Sequence, residues 1–260
     1  FDQTFLKRHF ADGTGNLYDG GFLQDIDVDL EKDAGRRREE RDDLQALREV
    51  CLEPETDKRW ERLEGVLDIE AFLRFMAFEL LACHWDGYTL AKNNYRLYFD
   101  PADRRARFLP HGMDQTFGDP NFPIYEFPET IVAGVVMRNP VWRARYREVL
   151  QDLQPYFAPE RLLPEMERMR ERIAESLSSM GPEAVQQHQD RFNELKERLA
   201  ARAASLDELM QQPDPQPLAF DETGRVVIRD WYPVAETEDA IVAEEELEGR
   251  RVLTIQVGNS

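Results

Sequence analysis

The sequence predicts an α+β protein that is mostly helical. Two long stretches, 36–85 and 139–211, carry apolar residues at helical spacing, whereas the alternating, strand-like patterns are short. The pattern changes at the proline-rich PDPQP (213–217), beyond which apolar and polar residues alternate. We therefore expect one main domain over residues 1–212, a linker at 213–217 and the start of a β-rich accessory domain over 218–260.

The residues before the first long helical stretch predict small elements. A short helix is expected over residues 2–11, and ADGTGN and DGG mark turns behind it. DIDVDLE (25–31) alternates acidic and apolar residues, which predicts a strand with Ile26, Val28 and Leu30 on one face. Its acids resemble the start of a calcium loop, but Leu30 stands where an EF-hand needs glycine. We interpret this acidic face as solvated.

Three further helices are expected before the hairpin. Residues 36–65 predict two surface helices that are interrupted at Pro54. Asp68 then opens DIEAFLRFMAFELLACHW, where the Asp68 side chain suits the N-cap position. Apolar side chains surround the axis of this helix, so it is predicted to be central and buried.

Turn and proline signals mark the later elements. NNYRLYFD and RARFLP flank the turn DPADR and predict a β-hairpin. GDPNFPIYEFP (118–128) is rich in proline and is predicted to be irregular. Pro140, Pro159 and Pro182 each suit the first turn of a helix, and the third of these helices is long, amphipathic and ends near Met210.

Composition and charge limit the classes of function. Lys and Arg total 33 whereas Asp and Glu total 52, which gives a net charge of −19. This balance argues against a nucleic-acid backbone as partner and favours basic partners or divalent cations. No apolar run approaches the roughly 18 residues that a membrane span needs. Cys51 and Cys83 are interpreted as two partly buried thiols rather than a disulfide framework.

The stretch from Cys83 to Gly118 is the densest in side chains that bind metals or move protons. These side chains follow apolar segments, at positions where they can be held firmly and still face a cleft. They are His84, Asp86, Asn93, Asn94, His111 and Asp114.

The order of acid, amide and acid in this stretch suits phosphoryl transfer. Asp86 follows the buried helix, and the amides Asn93 and Asn94 come before Asp114, which is 28 residues beyond Asp86. In phosphoryl transfer, one carboxylate accepts the hydroxyl proton. An amide oxygen and a second carboxylate suit Mg²⁺ held against nucleotide phosphates. An acid near a helix C-terminus is electrostatically unfavourable, so another interaction or a function must offset the cost of placing Asp86 there.

Two other readings stay open on the residues alone. His84, Asp86, His111 and Asp114 offer imidazole and carboxylate ligands for a transition-metal hydrolase. The third reading is a non-catalytic scaffold joined to a β-rich domain. His84 also suits a plain helix-terminal histidine, and His111 a turn residue.

Several separated motifs point to one family. HWDGY, NNYRLY and DQTFG occur in this order, after FLKRHFADGTGNLYDGG. Together they resemble the signature of the CotH (spore coat protein H) kinases, atypical protein-kinase-like enzymes, over residues 1–210. The resemblance implies a kinase-like large lobe with the hairpin at its active site, and ATP-dependent phosphorylation of protein Ser or Thr hydroxyls with Mg²⁺ or Mn²⁺. It also suggests a bacterial, secreted or cell-surface setting.

The resemblance implies a role for each matching residue. Asp86 is expected as the catalytic base, and Asn94 and Asp114 as metal ligands. Asn93, Asn94 and Asp114 are expected to face the cofactor. The acidic balance of the chain favours a basic protein substrate, and the resemblance to enzymes that phosphorylate serine implies a substrate rich in serine.

Two departures from the family pattern change these expectations. The form PWDLDQ, common in the family, is PHGMDQ here, so a neighbouring acid is missing at Gly112 and the number or affinity of metal ions would differ. The nucleotide-anchoring lysine and phosphate-covering strands would precede Phe1, so this stretch alone is expected to bind nucleotide weakly or not at all. Both ends are expected to continue in a longer protein. The alternative to an active kinase is a pseudokinase-like scaffold.

Overall fold

The computed structural model describes residues 1, 3–35, 40–125 and 128–212, together with the backbone of four short strands after residue 218. It confirms the α+β class, with many helices and a small antiparallel sheet. By contacts the chain divides into two units, Phe1–Asp214 and Pro215–Ser260. The expected linker at 213–217 lies outside the described residues.

Helices make up most of the first unit. The described helices are α1 (Gln3–His9), α2 (Asp42–Cys51), α3 (Thr56–Val66), α4 (Ile69–Leu81), α5 (Tyr88–Ala91), α6 (Ile131–Arg138), α7 (Pro140–Leu153), α8 (Pro159–Ser179) and α9 (Pro182–Leu209). Short 3-10 helices lie at Met113–Gln115 and Gln154–Phe157. The strands are β1 (Asn16–Gly20), β2 (Glu31–Ala34), β3 (Tyr95–Phe99) and β4 (Ala106–Pro110).

The four strands form one antiparallel sheet in the order β2-β1-β3-β4. The predicted hairpin is confirmed as β3 and β4, in which Tyr95 pairs with Pro110 and Leu97 with Phe108. At its open end the His111 N–H donates to the Asn94 carbonyl at 2.9 Å. The hairpin thus brings the residue before β3 beside the residue after β4.

Helix α4 lies at the centre of the core, as predicted. Asp68 caps it by accepting the Ala71 N–H at 3.1 Å, and its apolar side chains pack on α7 and β4. Phe72 meets Phe108 edge-on, with ring centroids 4.8 Å apart. The core therefore fixes the end of α4 relative to the hairpin.

The predicted strand over residues 25–31 is wrong, because this segment forms turns and β2 starts only at Glu31. Asp25, expected in solvent, is only 3% exposed. Its carboxylate accepts the Ile26 N–H at 2.7 Å and the Ile131 N–H at 2.8 Å. The first hydrogen bond satisfies an N–H that a strand would have paired with a neighbour, and the second ties the segment to the start of α6.

The central helix ends four residues earlier than predicted. It was expected to reach Trp85, but α4 ends at Leu81, and Cys83 adopts a left-handed conformation with φ +56°. A left-handed residue reverses the chain at a helix end. His84 consequently turns into the protein.

The proline predictions are confirmed, since Pro140, Pro159 and Pro182 open α7, α8 and α9. None of the described helices is long and apolar enough to cross a membrane.

The second unit contains two antiparallel strand pairs. They are β5 (Ala219–Phe220) with β6 (Val226–Val227), and β7 (Ala240–Leu247) with β8 (Arg250–Val257).

Candidate active site

Asp86 lies in the turn that follows α4. Its Oδ2 accepts a hydrogen bond from the Asn94 amide nitrogen at 2.7 Å. Its Oδ1 lies 3.3 Å from Nε2 of His84. The Asp86 side chain is 15% exposed while its Oδ1 is buried, so the side chain is held from inside and still reaches solvent. The acid and the amide that the sequence singled out are thus in direct contact.

Asn94 bridges Asp86 and the segment that carries Asp114. Its amide nitrogen faces Asp86, so its amide oxygen points to the other side, against Gly112. A Cβ at Gly112 would lie 2.3 Å from that oxygen, and Gly112 has φ +59°. Both facts require glycine here. The glycine that replaces the family's acid therefore has a structural reason in this chain.

Asp114 lies in the 3-10 helix directly after Gly112. Its side chain is exposed and makes no hydrogen bond or ion pair within the described ranges. Behind it, the Phe117 N–H donates to the Ala82 carbonyl at 2.8 Å, which ties this segment to the end of α4. Asn93 is half-buried just before Asn94. The Asp114 carboxylate therefore has free oxygens, and it lies two residues after Gly112, which packs against the Asn94 amide.

A buried glutamate supports the Asp86 turn from below. Glu79 is 0% exposed, and its carboxylate accepts the N–H groups of Tyr88 at 3.1 Å and Thr89 at 2.9 Å. The Thr89 hydroxyl donates to it at 2.6 Å. A Cβ at Gly87 would lie 2.5 Å from Glu79 Oε1, so only glycine fits there. Sequence reasoning missed Glu79, although a lone acid inside the apolar run FMAFELLA is the signal that marks it.

Tyr88 and Asp25 extend this network to α6. The Tyr88 hydroxyl donates to Asp25 at 2.9 Å and accepts the Val132 N–H at 3.2 Å. Burial, with the nearby Asp25 charge, raises the pKa of Tyr88 well above its ordinary value. Tyr88 therefore stays a phenol that can donate this hydrogen bond.

Arg202 of α9 joins two parts of the site. It is 1% exposed, and in the part of the chain that the structure describes its guanidinium donates to backbone carbonyls. The acceptors are Leu80 at 2.7 Å, Leu81 at 3.2 Å, Pro120 at 2.8 Å and Phe122 at 2.6 Å. Burial lowers the pKa of Arg202. The end of α4 and the loop beyond Asp114 are thus tied to one cation, which sequence reasoning did not find.

The structure does not favour the transition-metal reading. Within the described ranges, no group of three or more His, Cys, Asp or Glu side chains could hold a metal ion. Both ring nitrogens of His84 face carboxylates, and the ring of His111 packs edge-on against Phe1. An amide oxygen with a free carboxylate, as at Asn94 and Asp114, instead matches a hard cation.

A large cavity in the described region lies away from these residues. It has a volume of about 710 Å³ and is lined by Asp12, Asn16, Asp43, Asp100 and Asp103 among others. Its lining includes neither Asp86 nor Asn94. A smaller apolar cavity of about 270 Å³ borders Ala82 and Met113, behind the candidate site.

Comparison with known proteins identifies the family. The family model described as CotH kinase protein matches residues 1–209. The chain belongs to this family. It is similar to three proteins of the fungus Rhizopus delemar: Invasin CotH2, 34% identical over 105 residues (34% of this chain and 18% of the invasin); Invasin CotH7, 29% over 108 residues (36% and 18%); and Invasin CotH3, 41% over 56 residues (21% and 9%).

These matches are partial. The chain aligns with less than a fifth of the length of each curated relative. All three relatives are fungal, so they do not support the expected bacterial setting.

Proposed function

We propose that this CotH family chain carries the active site of an ATP-dependent protein kinase that phosphorylates Ser or Thr hydroxyls. The observation that carries the proposal is the hydrogen bond between Asp86 and Asn94, with Gly112 packed against the far side of the amide. It joins an acid and an amide in the order that phosphoryl transfer uses. Family membership supports the same chemistry.

In this proposal Asp86 orients the substrate hydroxyl and accepts its proton. Each carboxylate oxygen has two lone pairs, so Asp86 can keep its contacts with His84 and Asn94 and still accept a third hydrogen bond. As the bond from the hydroxyl oxygen to the γ-phosphorus forms, the bond to the β–γ bridging oxygen breaks. ADP leaves with that electron pair, and the hydroxyl proton passes to Asp86.

Asn94 and Asp114 are the residues that would hold Mg²⁺ or Mn²⁺. The donor set fits, because the Asn94 amide oxygen points away from Asp86 and the Asp114 carboxylate has no other partner in the described region. When bound, the cation would neutralise phosphate charge on ATP. Asn93 would border the nucleotide.

We extend the proposal to the substrate, the setting and the domains of the chain. We propose a basic, serine-rich protein substrate: the net charge of −19 supports its basic character, and membership of the CotH kinase family supports serine as the acceptor. A secreted or cell-surface setting is supported by the name invasin of the relatives. We also propose residues 1–212 as the catalytic domain and 218–260 as the start of an accessory β domain.

The test is transfer from labelled ATP, with Mg²⁺ or Mn²⁺, by the full-length protein to itself or to a basic serine-rich peptide. Asp86→Asn and Asp114→Asn should each lower the rate by at least about a hundredfold, because a base and a metal ligand act in the transition state. Asp57→Asn, at an exposed position in the first turn of α3, is the matched control and should keep the full rate.

A non-catalytic scaffold is the second candidate, favoured by Gly112 in place of the family's acid. Absence of transfer and of nucleotide binding in the wild-type protein would support the scaffold and overturn the kinase proposal. Equal rates in the wild-type protein and both site variants would overturn the residue assignment.

A further inference from the structure

His84 lies inside the protein between two carboxylates. Its side chain is 0% exposed, with Nδ1 3.5 Å from Glu79 Oε1 and Nε2 3.3 Å from Asp86 Oδ1. Neither ring nitrogen makes a well-aligned hydrogen bond within the described residues, so these are ion-pair contacts. A buried polar ring in this position is costly unless charge compensates it.

Glu79 supplies that charge. Its carboxylate accepts the Tyr88 N–H at one oxygen and the Thr89 N–H at the other, beside the Thr89 hydroxyl. Backbone N–H groups can only donate, and such hydrogen bonds stabilise a carboxylate. Among the described residues, the one cation paired with Glu79 is His84. A buried negative charge therefore depends on this ring.

Only a doubly protonated ring suits both neighbours. A neutral imidazole has one N–H and one lone pair, so it would turn the lone pair toward either Glu79 or Asp86. An imidazolium offers an N–H to each carboxylate. Burial lowers the pKa of His84, but Glu79, followed by Asp86, raises it by more, and the net pKa lies above its ordinary value.

We propose that His84 is a positioning residue which, as an imidazolium anchored by Glu79, fixes the orientation of the Asp86 carboxylate. The inference rests on the proposed role of Asp86 in phosphoryl transfer. His84 holds Oδ1 and the Asn94 amide holds Oδ2, so the carboxylate is set from two sides. A base that is already oriented avoids the entropy cost of finding its geometry during the reaction. The lone pairs that remain on Asp86 serve the substrate hydroxyl.

The first arm of the test does not depend on activity. Nitrogen NMR of the full-length wild-type protein at pH 7 should show both ring nitrogens of His84 protonated, with the signal assigned by its loss in His84→Gln. In Glu79→Gln the ring should become neutral, because its anchor no longer carries charge. An unprotonated ring nitrogen in the wild-type protein would overturn the proposal.

The second arm measures kinetics with labelled ATP and the serine-rich peptide. His84→Gln should lower kcat roughly ten- to hundredfold, while the KM for ATP changes little, because the orientation of the base is lost and nucleotide contacts are kept. His188→Gln, on α9, is the matched histidine control and should keep the wild-type kcat. Wild-type kcat in a folded His84→Gln protein would overturn the proposal.

The two arms separate the two claims. If the wild-type protein transfers no phosphate, the proposed function fails, and the NMR arm still decides whether His84 is a cation between Glu79 and Asp86. If transfer occurs and the His84 ring is neutral, the kinase proposal is kept and the proposed role of His84 is wrong.

Discussion

Helix α4 carries two glutamates that lie on opposite faces and meet opposite surroundings. Glu70 and Glu79 are nine residues apart, about two and a half turns. The Glu70 side chain is 46% exposed and pairs with Arg145 at 2.8 Å. Glu79 is 0% exposed and faces His84 and the start of α5. One helix therefore holds a surface ion-pair network and a buried charge network.

A charged group contributes differently to stability in these two surroundings. Around Glu70 the ion pairs have the shorter distances, yet water screens them and competes for each partner. Around Glu79 the contacts to His84 are longer, but removing one partner leaves an uncompensated group in the core. The buried network should therefore govern stability and the site, and the surface network should matter little.

The largest effect on stability is expected at Arg202, the other buried charge beside α4. Arg202→Met should lower the free energy of unfolding by roughly 3 kcal/mol or more, because buried carbonyls lose their donors. Arg198→Met, one turn earlier and exposed at its ion pair with Glu194, is the control and should change stability little. Urea unfolding of the three proteins measures the difference, and equal midpoints would remove the distinction between buried and surface charge.

Glu79→Gln is expected to come next. The glutamine amide can still accept hydrogen bonds at its oxygen, but its NH₂ group cannot accept the N–H of Tyr88 or of Thr89. His84 also loses its counter-charge. The expected loss is about 2 kcal/mol. The same substitution at Glu70 is the matched control, with a much smaller change in the unfolding midpoint. A larger loss at Glu70 would contradict the account.

The two networks should also differ in the sign of their pH dependence. The pKa of His84 is raised in the folded protein, so its contribution is full below the ordinary value of 6.5 and is lost as pH rises through the folded value. The pKa of Glu70 is lowered, by hydrogen bonds to Arg145 first, so its contribution is present above 4.5 and is lost as pH falls.

Unfolding free energies of the wild-type protein, His84→Gln and Glu70→Gln over a pH series measure this. The gap between wild type and His84→Gln should narrow toward high pH, and the gap for Glu70→Gln should narrow toward low pH. Gaps that narrow in the same direction would show that His84 is not held as a cation.

The smallest effect is expected at Arg145. It donates to Glu70 and Glu148 at the surface, and its pKa is raised by these hydrogen bonds, Glu70 first. Because water replaces those contacts at little cost, Arg145→Gln should leave the Tm nearly unchanged, and added salt should remove any remaining difference. A large, salt-independent fall in Tm would assign the surface network a structural role.

Local signals explain which parts of the fold were predictable. Three signals specify structure within a few residues of their own position. They are the apolar residues around α4, the Asp68 cap and the prolines that open α7, α8 and α9. The strand predicted over residues 25–31 was wrong because Asp25 forms hydrogen bonds with Tyr88 and Ile131, which lie 63 and 106 residues away. Such distant partners override an alternating pattern.

The candidate site divides in the same way. Motif order indicated Asp86, Asn94 and Asp114, and the contact between Asp86 and Asn94 is a short-range consequence of the turn and hairpin. Arg202 reaches carbonyls 80 to 122 residues away, and carbonyls leave no sequence signature. The missed supporting residues are therefore those whose partners are backbone groups or lie far along the chain.

The most direct measurement is the structure of the full-length protein with Mn²⁺ and a non-hydrolysable ATP analogue. We expect anomalous density for Mn²⁺ between Asn94 and Asp114, with Asp86 still hydrogen-bonded to the Asn94 amide and open toward the γ-phosphate. Nucleotide and Mn²⁺ bound elsewhere, such as in the acidic cavity at Asp12 and Asp43, would contradict it.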